Sequence, residues 1–173
     1  MMFKNTLAIL AGAALMLLCG QAFADPQCVT NYGKTVCGYH CVANYGDVQC
    51  AQTPQGACMA NYGQVVCWDP PRYVDVQATC KADYGQIACG YNCISNYGQV
   101  ACSQTPQGAC MANYGQVVCW DPLRYVHEKA MCKADYGKIA CGYHCVSSYG
   151  DVVCARTPNG ICKATNGQIV CFD

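Results

Sequence analysis

The sequence predicts an all-β fold, an open tandem array of nine disulfide-closed two-stranded hairpins arranged in three 52-residue blocks. Three observations carry that expectation. The ten residues Cys58-Met59-Ala60-Asn61-Tyr62-Gly63-Gln64-Val65-Val66-Cys67 recur unchanged from Cys110 to Cys119. Seven looser copies start at Cys28, Cys41, Cys80, Cys93, Cys132, Cys145 and Cys162, each with a second cysteine nine positions on and a glycine at its centre. The starts Cys28, Cys80 and Cys132 stand 52 residues apart, which superimposes a longer period on the shorter one. A closed pseudo-threefold β fold is the alternative. The third block stops at Phe172-Asp173 without the long tail of the other two, breaking the symmetry where a ring would have to close.

The ten-residue unit has four residues before Tyr62-Gly63 and four after, the layout of two strands joined by a two-residue loop. Both loop residues need positive φ, which glycine adopts freely and tyrosine less readily. The ninth copy has Asn166-Gly167 there, a strong hairpin signal. A three-residue Asn-Tyr-Gly loop with a glycine bulge is the competing register and would put the cysteines out of step by one. In the two-residue register the cysteines face each other at a non-hydrogen-bonded position, where Cα atoms approach to about 4.5 Å, close enough for a bridge. The expected bonds join Cys28 to Cys37, Cys41 to Cys50, Cys58 to Cys67, Cys80 to Cys89, Cys93 to Cys102, Cys110 to Cys119, Cys132 to Cys141, Cys145 to Cys154 and Cys162 to Cys171. Side chains alternate between faces. One face carries the disulfide with a small residue opposite a β-branched one, as in Ala60 and Val65, and is expected to be the buried face.

Ahead of the repeats, Met-Met-Phe-Lys, an apolar run from Leu7 to Leu18, and Ala22-Phe23-Ala24 read as a secretory signal over residues 1–24. The blocks are then 25–79, 80–131 and 132–173. Cleavage after Ala24 removes Cys19 and leaves eighteen cysteines, an even number suited to a disulfide framework and an oxidising compartment, secreted or periplasmic. Cys19 also sits in a lipoprotein-like box that would anchor the chain, but Leu18 stands where that box needs a small residue. No later stretch is long enough to span a membrane.

Within each block the first joint is Gly-Tyr-His or Gly-Tyr-Asn, at 38–40, 90–92 and 142–144, and the second contains Thr53-Pro54-Gln55-Gly56 or its copies, a proline-set turn. Long joints, Trp68 to Thr79 and Trp120 to Met131, separate the blocks. Each opens Trp-Asp-Pro, with Asp69 and Asp121 as turn formers, and its Arg-Tyr-Val is a candidate edge strand. Beyond Asp25 the large aliphatics and phenylalanine reduce to Leu123 and Phe172 beside isoleucine and valine, so bridges have to stand in for a conventional core.

Function classes follow from the same residues. Ten Lys and Arg balance ten Asp and Glu with no basic run, which argues against a nucleic-acid partner. The three histidines and four serines form no nucleophile setting, and Cys-x-x-Cys is absent, so no enzyme activity and no cofactor is expected. Cys37-Gly38-Tyr39-His40-Cys41 and Cys141 to Cys145 place thiols and an imidazole together as a possible metal site, but the middle block has Asn92 in place of the histidine, and oxidised sulfur is no thiolate ligand. Tyrosines at eight tips, Tyr32, Tyr45, Tyr62, Tyr84, Tyr97, Tyr114, Tyr136 and Tyr149, form a candidate binding surface for a protein or a glycan. The preferred reading is that they pack on the adjacent hairpin or cover a disulfide. Trp68 and Trp120 are expected on the neighbouring disulfides, and Arg72 and Arg124 on nearby aromatic rings. The expected role is a non-enzymatic structural or binding scaffold in the cell envelope or outside the cell.

Overall fold

The computed structural model describes residues 25–173, so the expected signal and Cys19 lie outside the described residues. In the first block β1 (Gln27–Asn31) pairs with β2 (Lys34–Asn44), β2 with β3 (Asp47–Ala51), and β4 (Ala57–Asn61) with β5 (Gln64–Trp68). The second block repeats this in β6 (Thr79–Asp83), β7 (Gln86–Asn96), β8 (Gln99–Ser103), β9 (Ala109–Asn113) and β10 (Gln116–Trp120). The third does so in β11 (Met131–Asp135), β12 (Lys138–Ser148), β13 (Asp151–Ala155), β14 (Ile161–Thr165) and β15 (Gln168–Phe172). All pairs are antiparallel, and no barrel closes among the described residues. The array is open, as expected.

The two-residue register is the one adopted: Asn61 faces Gln64 and Cys58 faces Cys67. All nine expected bridges form, each joining cysteines nine positions apart. The Cα atoms of Cys58 and Cys67 are 4.1 Å apart, slightly closer than the unbridged pair would stand. At the tip Tyr62 takes φ 44° and Gly63 φ 81°, the left-handed pair that matches strand twist. The short first joints are not free loops. β2, β7 and β12 run on through them as bent eleven-residue strands, with the register shifting between Tyr39 and Val42 and at the equivalent places. The extra residue at each bulge is His40, Asn92 or His144, with φ 47° to 49°.

Successive hairpins stack with a fixed polarity. The Cys50 sulfur lies 3.6 Å from the Val36 carbonyl, Cys89 3.9 Å from that of Val66, and Cys141 4.0 Å from that of Val118. A disulfide sulfur has no proton to donate, so these are packing contacts, and they put the bridges of these hairpins against the backbone of the one before. Period-two alternation led to an expectation of one buried face, but in the interior both faces are covered. Val48 and Val65 are buried on the disulfide face, and Ala51, Ala57 and Ala109 on the other.

Blocks join through aromatic pairs. Trp68 meets Tyr91 of the next block edge to face at 5.5 Å, and Trp120 meets Tyr143 in the same way at 5.6 Å. The expectation that the tryptophans pack on their own disulfides is therefore corrected: the indole reaches forward to a tyrosine 23 positions on. Around these pairs gather Ala57 and Ala78 in one cluster, Ala109, Ala130 and Ala155 in the other. Tyr91 and Tyr143 are 4% and 1% exposed, and each hydroxyl donates to a backbone carbonyl, that of Val76 or Glu128.

The long joints hold no strand; residues 69–78 and 121–130 are bends and extended chain. The Arg-Tyr-Val edge strand is thus overturned: neither copy pairs into any sheet. The N–H groups of Gln104 and Thr105 and the Thr105 hydroxyl all donate to the Asp121 carboxylate at 2.8 to 3.0 Å. Asp69 receives the same three donors from Gln52 and Thr53. Asp173 accepts the Arg156 N–H at the equivalent place. The aspartates are clamps as well as turn formers: each ties a block's last strand to the proline turn behind it. The approach leaves no room at Gly56, where a Cβ would stand 2.4 Å from the Asp69 carboxylate and 2.6 Å from the Ala51 methyl. Asp121→Ala removes several charge-assisted bonds and is expected to cost about 2 to 3 kcal/mol, with Asp121→Asn intermediate. Thermal melts under non-reducing conditions read this directly.

Candidate functional site

The hairpin tips form one edge of the stack. A Cβ placed on Gly46 would touch the Tyr32 ring at 3.8 Å. The same relation links Tyr45 to Gly63, Tyr62 to Gly85, Tyr84 to Gly98, Tyr114 to Gly137, Tyr136 to Gly150 and Tyr149 to Gly167, at 3.3 to 4.0 Å. Each ring therefore leans over the glycine of the following tip. The step from Tyr97 to Gly115 is wider, with nothing within 4 Å of that glycine. Leaning buries little. The eight rings remain 84% to 89% exposed, while all but Tyr97 lie against the next tip.

The eight tip tyrosines also hold φ between 41° and 47°. Left-handed backbone costs an L-residue with a Cβ roughly 1 to 2 kcal/mol, and asparagine tolerates it better. Asn166 shows that this chain can use asparagine in the same place, at φ 49°. Eight bulky rings in a strained conformation and almost fully in water are poorly explained by stability alone.

A second concave surface lies between the two long joints. It is a cleft of about 380 Å³ lined by Pro70, Arg72 and Val74 of the first joint, Leu123, Arg124 and Tyr125 of the second, and by Tyr91 and Pro106. Both arginines are exposed and stand on the cleft wall. Leu123 is 98% exposed and Tyr125 72%.

The Gly-Tyr-His joints are built as braces. The His40 ring nitrogen lies 2.9 Å from the Pro54 carbonyl, and His144 stands likewise to Pro158. A carbonyl only accepts, so Nε2 carries the proton. In the middle block the Asn92 amide donates to the carbonyls of Pro106 and Gly108 and accepts from Lys129. Histidine and asparagine are interchangeable here because both present a donor to the proline turn. The cysteines on either side are oxidised, and among the described residues no three His, Cys, Asp or Glu side chains gather as a metal site. No described helix is long and apolar enough to cross a membrane.

The chain matches no known protein family, characterised protein or solved structure.

The buried tyrosines are the groups whose titration is perturbed. Burial pushes the phenols of Tyr91 and Tyr143 above the ordinary value of 10.0, and the Glu128 charge adds to the shift at Tyr143. The protonated phenol is the form the fold favours. Its stabilisation is complete below pH 10.0 and is lost as pH climbs through the raised folded values. Thermal melts in alkaline buffers should fall over that window, and Tyr91→Phe with Tyr143→Phe should flatten the fall.

Proposed function

We propose that this chain is an exported, non-enzymatic scaffold of the cell envelope or extracellular space that makes its contacts through the tyrosine edge. Nine disulfides and the absence, among the described residues, of a large-aliphatic core fit a protein working in an oxidising periplasmic or extracellular compartment. The observation that carries the reading is the row of eight exposed rings held in strained tips. Local disulfides fix each tip, so a contact loses little conformational entropy on forming. A glycan surface is the second reading, favoured because rings in a line stack on successive sugars.

Asparagine at the tips is the informative substitution. Tyr62→Asn, Tyr84→Asn and Tyr97→Asn combined should keep or slightly raise the melting temperature, since the turn prefers the new residue. They should abolish retention on isolated envelope material or on insoluble polysaccharide. Retention on polysaccharide alone would select the glycan reading. Binding that survives the triple variant, or none to any envelope, matrix or polysaccharide preparation, would refute the tyrosine edge as the contact surface.

A further inference from the structure

Stacking with fixed polarity leaves the two outermost hairpins with unlike open faces. At one end the disulfide of β1 and β2 has no hairpin before it among the described residues, and Cys28 and Cys37 are exposed. Their equivalents one block later, Cys80 and Cys89, are half-buried and buried beneath the preceding hairpin. Tyr39 is likewise only half-buried, whereas Tyr91 and Tyr143, each met by a tryptophan, are almost fully covered. At the other end the non-disulfide face of β14 and β15 carries Ile161, Val170 and Phe172, exposed by 68%, 69% and 77%.

Those three correspond to Ala57, Val66 and Trp68, the side on which the next block sits. Ala57 and its copy Ala109 are 8% and 7% exposed in the covered state. A hairpin built only to end the stack would present polar residues there. Here alanine is replaced by the larger isoleucine and tryptophan by phenylalanine, with Lys163 as the charged residue on the face. At the internal junction Val74 and Ala78 of the long joint help fill the space beside Ala57.

We propose that the chain associates head to tail with a second copy of itself, the β14–β15 hairpin of one seating on the β1–β2 hairpin of the next. Phe172 then takes against Tyr39 the position that Trp68 takes against Tyr91. The two faces differ, so the contact is heterologous and does not close on a dimer; it extends the stack into a filament. It also continues the row of tips from one copy to the next. A single hairpin face is small beside a standard interface, so the association is weak and concentration-dependent.

The test is sedimentation velocity on the exported, oxidised chain from about 10 µM to about 1 mM, the range expected for a small interface. Average mass should rise continuously beyond that of a dimer. Phe172→Asp and Tyr39→Ala should each weaken association about tenfold or more, as loss of a central aromatic does, while the tip variant Tyr62→Asn should leave it unchanged. Phe172→Asp retains its head face, so in excess it should terminate wild-type assemblies. One monomeric mass throughout, growth that stops at a dimer, or growth indifferent to both face substitutions would overturn the proposal. This outcome is independent of the polysaccharide and envelope binding that tests the tyrosine edge.

Discussion

Reduction of the nine disulfides is expected to unfold the chain. Each bridge closes a ten-residue ring, worth about 2 to 3 kcal/mol in the chain-entropy model, so nine together supply at most about 18 to 27 kcal/mol, less in practice because the contributions are not additive. Folded domains hold a net margin of only about 5 to 15 kcal/mol. The rest of the interior cannot make up the difference: the described buried apolar residues are mainly alanine, valine and cysteine, with Tyr91 and Tyr143 as the large ones. Circular dichroism before and after a phosphine reductant should show the β signal lost at ambient temperature and regained on reoxidation. A reduced chain that kept its strand signal and its slow amide exchange would mean that stacking alone holds the array.

Tyr143→Ala is expected to be the most damaging single substitution outside the cysteines, at about 3 to 5 kcal/mol, the usual cost of truncating a buried aromatic. The ring is 1% exposed, meets Trp120 edge to face, and anchors the cluster with Ala109, Ala130 and Ala155. Small neighbours cannot collapse into the space it leaves, which keeps the cavity open. Tyr143→Phe retains the ring and loses one long hydroxyl bond of 3.4 Å, so it should cost no more than about 1 kcal/mol. Melts of the two variants under non-reducing conditions separate ring from hydroxyl. If the alanine variant melted with the wild type, the junction between blocks would be carried by something other than its aromatic pair.

The hairpins were legible because everything that defines them is local. Four residues, a left-handed pair and four residues put Cys58 opposite Cys67, and Asn166-Gly167 marks the same turn in more familiar residues. How one hairpin lies on the next was not legible, since alternation along a strand distinguishes two faces without saying that both are covered. The forward reach of Trp68 to Tyr91 depends on that stacking direction, and so does the covering of Tyr91 itself. Asp69 and Asp121 were readable as turn formers, but their three donors come from residues 16 and 17 positions earlier, a distance no turn pattern encodes. At the tips the residue types pointed to the right positions. Whether eight rings would turn inward or outward depended on neighbours that local spacing does not specify.

The short reach of every bridge bears on how the molecule is made. Because partner cysteines lie nine positions apart, each clasp can be set as soon as its second half has emerged, before the next begins. Contacts of such low order form quickly, and a vectorial order of oxidation leaves few free thiols present at once to scramble. Lengthening the array by another block would then add material without adding a slower search.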